Sequence, residues 1–229
     1  MLLLLPVLPG LARDTIKGAF IIHAGLNDTT SVLLEVGNTC NSVSFFLKAS
    51  ARATIGLELD PNQWILSLAM LAKDFTSNDA IPLNLDAVSM NSFSPCTHAF
   101  ACNIGMPPAE TNRLFRAFDN TATMNYAFVF SPPSDCPSNW KLIVTVGSIR
   151  SRDGRSFDGY LYKRNGAVPS HVSGGVFSAL ELAEVAEPAF QADLQHLAEG
   201  TLKESIVMNL RSWINRPRVT RRTSQINVI

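Results

Sequence analysis

The sequence predicts an all-β protein, an eight-stranded antiparallel sandwich of jelly-roll type with short helices in its loops. Three observations predict it. Short runs rich in β-branched and aromatic residues recur between Ser31 and Arg150. Clusters of Pro, Asn and Gly separate them at spacings of about 10–15 residues, the cadence of a sandwich and not of alternating strands and helices. No recognisable catalytic signature lies between them.

The elements follow in chain order. Met1-Leu-Leu-Leu-Leu-Pro-Val-Leu-Pro-Gly-Leu-Ala12 imitates a signal peptide. It lacks a basic leading region and two prolines interrupt it, so Met1 to Ala12 is expected to lie against another chain or fill a groove on its own domain, as part of an N-terminal arm of residues 1–30. Ser31 to Val36 is a strand closed by Gly37-Asn38, and Asn41 to Lys48 is a strand or short helix. Arg52-Ala-Thr-Ile-Gly-Leu-Glu-Leu59 alternates, as a half-buried strand does. Asp60-Pro-Asn62 is a turn, and the apolar run Trp64 to Leu71 behind it is expected to be a buried strand. Leu83 to Met90 alternates strictly, and Thr97 to Cys102 forms the next strand. Pro107 to Phe118 opens on prolines tolerated in a first helical turn. Thr123 to Phe130 and Trp140 to Gly147 are strands around a loop with three prolines. The sandwich thus spans residues 31–150.

Residues 151–229 form a C-terminal extension of different character. Phe157 to Tyr162 is one more short strand, and Val176 to Ala186 and Ala189 to Ala198 have helical spacing. Glu204 to Ile214 fits strand or helix. Arg211, Arg216, Arg218, Arg221 and Arg222 follow Glu204 with no acid among them. They are candidate contacts to RNA phosphates or to a neighbouring subunit, with Trp213, Ile214 and Val219 as apolar anchors.

Composition narrows the function. The charged share is 17% with 46% apolar residues, against about 25% charged in an average domain. So little charge implies that partner subunits cover much of the surface. Net charge is zero, which removes a global field towards nucleic acid or membrane. No apolar run reaches the length of about 18 residues that a membrane span needs. Cys40, Cys96, Cys102 and Cys136 form no C-x-x-C pair and are expected to be free thiols. Cys96 and Cys102 bracket His98 in a spacing that matches no common metal site. His23, His98, His171 and His196 nominate no catalytic triad. Trp64, Phe100, Tyr126, Phe128 and Trp140 belong to core or interface packing. Asn27-Asp-Thr29 fits the glycosylation pattern, a short motif that carries little weight.

Three stretches resemble the jelly-roll domains of plant picorna-like virus coat proteins, the comovirus, nepovirus and cheravirus group. They are Arg52 to Leu59 followed by Trp64 to Leu71, then Ser89-Met-Asn-Ser-Phe-Ser-Pro-Cys-Thr-His-Ala-Phe-Ala-Cys102, then the strand pair 123–130 and 140–147. A chain of 229 residues is most similar to the single-jelly-roll coat proteins of the cheravirus type. The resemblance implies a non-enzymatic capsid protein, found in the virion and, during assembly, in the host cytoplasm. It would self-assemble with other coat chains into an icosahedral shell around an RNA genome. It would need no cofactor, metal or catalytic residue. The alternative is a β-sandwich module binding carbohydrate or lipid.

Overall fold

The computed structural model of the chain describes residues 10–37, 50–73, 79–150, 154–166 and 187–199, with Thr201, Glu204, Ser205, Met208, Arg211 and Ser212 beyond them. It overturns the sandwich. The architecture is a single seven-stranded sheet, mostly parallel, with helices on both faces.

Helix α1 (Gly10–Ala24) buries Ile16, Ala19, Phe20 and Ala24, a stripe at helical spacing. It ends where Gly25 takes φ +64° and the Leu26 N–H reaches back to the Phe20 carbonyl at 3.2 Å, a glycine-terminated helix end. Strands β1 (Val32–Val36) and β2 (Ala53–Leu57) follow, and every residue of both is buried. A strand buried on two faces is what a parallel sheet with helices on either side requires. Helix α2 (Pro61–Lys73) leads to β3 (Asp79–Leu83), and a short 3-10 turn (Ala87–Ser89) precedes β4 (His98–Ala101). Helix α3 (Pro108–Asn120) leads to β5 (Tyr126–Val129), and the long strands β6 (Trp140–Arg150) and β7 (Ser156–Arg164) complete the sheet. Helix α4 (Pro188–Ala198) lies after them.

The strand order is β3-β2-β1-β4-β5-β7-β6. The first five strands pair parallel, and β7 inserts antiparallel between β5 and β6. One face of the sheet carries Leu34, Ile55, Leu57 and Tyr162 against Leu68 of α2, Leu114, Phe115 and Phe118 of α3, and Phe190 of α4. The other carries Leu33, Phe100, Phe128 and Leu161 against Ile16 and Phe20 of α1. Phe128 is fully buried, as its place in an apolar run suggested. Its ring lies 5.8 Å from both Phe20 and Phe100.

Strands occur where expected within 31–36, 52–59, 97–102, 123–130, 140–147 and 157–162, and helices within 107–118 and 189–198. Two elements differ. Trp64 to Leu71 is helix, because Asp60 is a helix cap. Its Oδ1 accepts the Asn62 N–H at 2.8 Å, and Pro61 stands in the first turn. Leu83 to Met90 is not a strand, because β3 ends at Leu83 and Asp86 caps the 3-10 turn through the Val88 N–H at 2.9 Å. With α2 between β2 and β3 the two strands must run parallel, and the antiparallel sandwich is lost. Residues 1–9, 41–48 and 176–186 lie outside the described residues. The described positions 204, 205, 208, 211 and 212 are helical.

Two expected outcomes test this packing. A Cβ at Gly159 of β7 would collide with the Phe128 ring and press on Ile149. Gly159→Ala is therefore expected to cost about 1–3 kcal/mol by overpacking, read as a lower urea midpoint; an unchanged midpoint would show that β7 does not cross Phe128. The second concerns His98, buried at the start of β4. Its Nε2 lies 2.8 Å from the Ala24 carbonyl and its Nδ1 2.8 Å from the Thr97 hydroxyl. Burial pushes its pKa from 6.5 down to about 4, opposed by the bond to Ala24. The unfolded chain therefore takes up this proton first, and stability falls as pH drops from about 6.5 to 4, by roughly 3 kcal/mol at most. Urea titrations across that window should show the loss in the native protein and a flatter profile in His98→Gln. Equal slopes would contradict the buried neutral histidine.

Candidate functional site

In an open parallel sheet, ligands bind outside the carboxyl ends of the strands, at the point where the connections diverge. Here that point lies between β1, whose chain moves outward to β2 and β3, and β4, whose chain moves the other way to β5. The backbone ladder continues past the strand ends and fixes the residues bordering the crevice. Gly37 N–H donates to the Leu57 carbonyl at 2.9 Å, Glu58 N–H to Leu83 at 3.0 Å and Cys102 N–H to Val36 at 3.0 Å.

Gly37 ends β1 with φ +71°, and a Cβ there would stand 3.5 Å from the Cys102 carbonyl. The position demands glycine by conformation and leaves the backbone open to close approach. Glu58 ends β2 and is 8% exposed, with its Oε1 accepting the Asp60 N–H at 2.9 Å. Asn84 braces this turn from the end of β3, donating from Nδ2 to the carbonyls of Glu58 at 2.8 Å and Leu59 at 3.1 Å. Glu35 lies fully buried one residue from the end of β1. Burial pushes the Cys102 thiol up to about 12, and the Glu35 and Glu58 carboxylates add to the push, so all three share one field at the ends of β1, β2 and β4.

Across the crevice, Asn103 joins the loops after β4 and β5. Its Oδ1 accepts the N–H groups of Phe130 and Ser131, both at 2.9 Å, and its Nδ2 donates to the Ser131 carbonyl at 2.7 Å. Pro107, Pro108, Pro132 and Pro133 stiffen the same wall. Asn112 of α3 holds the second loop through Ser134 at 3.0 Å and the Asp135 N–H at 3.2 Å. At the far end of α3, Arg164 of β7 donates to the carbonyls of Asp119 and Thr121, both at 2.8 Å, neutralising the helix terminus.

The edge has one sign of charge over most of its length. Glu35, Glu58, Asp60 and Asp86 stand at or beyond the ends of β1, β2 and β3, and Asp135 in the loop after β5. Residues 58–60, 84–86, 102–107 and 130–139 contain no Lys or Arg.

The sites marked from sequence lie elsewhere. Arg211 is exposed, and Arg216, Arg218, Arg221 and Arg222 lie outside the described residues. Cys96 and Cys102 stand at opposite ends of β4, and among the described residues no group of His, Cys, Asp and Glu is arranged to hold a metal ion. Asn27 folds onto its own turn, its Oδ1 accepting the Thr29 and Thr30 N–H groups at 3.1 and 2.8 Å. Among the described residues no helix is long and apolar enough to cross a membrane. Glu58, Gly37 and Asn103 were missed, although an acid two residues before the Asp60-Pro61 pair marks a strand end abutting a helix cap.

Solved structures repeat this architecture. Magnesium protoporphyrin IX methyltransferase from Synechocystis, with bound S-adenosylmethionine, superposes with a TM-score of 0.53 at 11% identity over 68% of this chain and 79% of its own. The 23S rRNA methyltransferase ErmE gives 0.51 at 13% identity over 89% and 84%. A dimethyladenosine transferase from Plasmodium falciparum gives 0.50 at 14% identity over 70% and 62%. The chain has the fold of these methyltransferases. No protein-family model matches it, and no curated protein matches it by sequence.

This fold corrects the functional expectations together. The coat-protein resemblance, the all-β class, the virion location and the shell partners all required a jelly roll. The exclusion of an enzyme required one as well, and the similar folds belong to enzymes. A carbohydrate- or lipid-binding β-sandwich falls for the same reason.

The Asn103 bridge is testable. Asn103→Ala leaves the buried N–H of Phe130 and the half-buried N–H and carbonyl of Ser131 without that partner and is expected to cost about 2–4 kcal/mol, measured by urea unfolding. A loss within experimental error would show that the two loops hold their positions without it.

Proposed function

We propose that the chain is an S-adenosylmethionine-dependent methyltransferase. The observation that carries this is the acid-lined crevice at the divergence of β1 and β4, bordered by a glycine with positive φ and by Glu58 at the end of β2. Three classes of nucleotide cofactor suit such a crevice in general: dinucleotides, flavin nucleotides and adenosyl sulfonium compounds. The first two carry phosphates. They need a glycine-rich turn that brings several backbone N–H groups to the phosphate. Here Gly37 is the only glycine between residues 37 and 49. Glu35, Glu58 and Asp60 would oppose a phosphate and favour a cation.

S-adenosylmethionine has no phosphate and bears a positive sulfonium whose methyl group is electrophilic. Glu58 is placed to accept the ribose hydroxyls, the task of an acid at the end of the second strand in nucleotide-binding sheets. A carboxylate has about four acceptor sites, and the Asp60 N–H takes one of those on Glu58. Gly37 gives the ligand access to the backbone. Buried Glu35 adds its field beneath the cationic centre. The proline-stiffened loops joined by Asn103 form the opposite wall, where an acceptor would approach.

Isothermal titration should show S-adenosylmethionine binding in preference to NAD. Glu58→Ala is expected to weaken it about 10- to 100-fold, the contribution of hydrogen bonds to a charged group, with its thermal midpoint followed as a control. Preferential NAD binding, or unchanged affinity in a folded Glu58→Ala protein, would sink the proposal.

A further inference from the structure

The zero net charge conceals a division along the strand order. Residues 53–112, from β2 to the start of α3, hold six acids and one lysine. Residues 140–166, the β6–β7 hairpin, hold six basic residues and two aspartates. Of these acids, Glu58, Asp60 and Asp86 border the crevice at the carboxyl ends of β2 and β3, and the basic part forms the outer end of the sheet.

Four of the hairpin's cations are exposed: Lys141, Arg150, Arg155 and Lys163. Lys141 and Lys163 are direct register partners on neighbouring strands. Like charges placed opposite each other destabilise a sheet, and among the described residues neither has an ion-pair partner. Such a pair is relieved by an anion. Each end of the hairpin also sets a cation over an aromatic ring. Lys163 Nζ lies 5.7 Å from the centre of the half-buried Tyr126 ring, and Arg155 Cζ lies 5.6 Å from that of Phe157. Arg164 is engaged with α3, and Asp158 is occupied by the Ser148 N–H at 3.0 Å. The two clusters lie about 25–30 Å apart along β6, from the strand rise. Since β7 is antiparallel to both β5 and β6, β6 runs parallel to β5, which brings Arg150 and Arg155 to the same edge of the sheet as the crevice.

We propose that the β6–β7 hairpin is a docking surface for single-stranded nucleic acid and that the methyl acceptor is therefore a nucleic acid, the second step resting on the proposed function. Phosphates bind the two cation clusters, and a base packs against the partly exposed Phe157 ring at the crevice end, the combination single-strand binders use. The acidic loops repel the backbone, which confines the polyanion to the hairpin while the basic end at the crevice admits a base.

The test measures binding of fluorescein-labelled oligouridylate by anisotropy across a salt series, with oligoglutamate as competitor and S-adenosylmethionine binding measured in parallel. The native chain should bind with an affinity that falls steeply with salt. The combined substitution of Lys141, Arg150, Arg155 and Lys163 by Gln should weaken binding at least about tenfold and flatten the log–log salt slope by about 2–3. It should leave S-adenosylmethionine affinity unchanged, and Lys141→Gln alone should maintain or raise the thermal midpoint. An unchanged salt slope in the folded fourfold variant would overturn the surface. So would no oligouridylate binding by the native chain, or competition by oligoglutamate as effective as unlabelled oligouridylate. If oligouridylate binding fails while S-adenosylmethionine binds, the methyltransferase proposal stands and this one falls; RNA binding without cofactor binding gives the reverse.

Discussion

Burial of β1 on both faces is the constraint on which the rest of the structure depends. All five of its residues are inaccessible, and it is flanked by β2 and β4. A strand in that position needs helices above and below it, and those helices make the connections that keep its neighbours parallel. Parallel strands bring their carboxyl ends to one edge. The connections leave β1 and β4 towards opposite ends of the sheet, which opens a crevice there without further design. Gly37, Glu58 and Cys102 occupy fixed places at this crevice because the ladder hydrogen bonds continue one residue beyond the strands.

The outer strands answer a different requirement. β7 enters between β5 and β6 against the direction of both, and its centre fits only because Gly159 leaves room for the Phe128 ring. That ring belongs to the aromatic cluster with Phe20, Phe100 and Phe130 that carries α1. The hairpin is thus anchored to the core on both faces, by Tyr162 on one and Leu161 on the other, while its charged side chains remain outside. Charge follows the same partition, with acids around the crevice and bases on the hairpin.

Much of the local structure was legible in the sequence, and the topology was not. Strand runs such as 97–102 and 123–130 and the proline-opened α3 follow from residue type alone. One misread signal reversed the fold class. Asp60-Pro61-Asn62 serves equally as a turn or as a helix cap with proline in the first turn, and only the second makes Trp64 to Leu71 a helix. Ile65 and Leu68 are buried and Leu66 is exposed, as a period of 3.6 demands. Val32 to Val36 offered a second signal, since a run without alternation belongs to a strand covered on both faces. Insertion of β7 is a non-local pairing that no window of sequence contains. Of the crevice, Gly37 was seen only as a turn residue and Glu58 only as part of an alternating strand, because their meaning depends on which strands become neighbours. The neutral net charge hid the partition between residues 53–112 and 140–166, which a segment-by-segment count makes visible.

The central claim is that the carboxyl edge around β1, β2 and β4 holds an adenosyl sulfonium ligand. Hydrogen–deuterium exchange with and without S-adenosylmethionine tests it most directly, because it locates the ligand without assuming any residue's role. Protection is expected in segments covering residues 34–37, 57–60, 84–88 and 101–105, with the β6–β7 strands unchanged. Protection confined to the hairpin or to the amino ends of the strands, or none at saturating ligand, would contradict it.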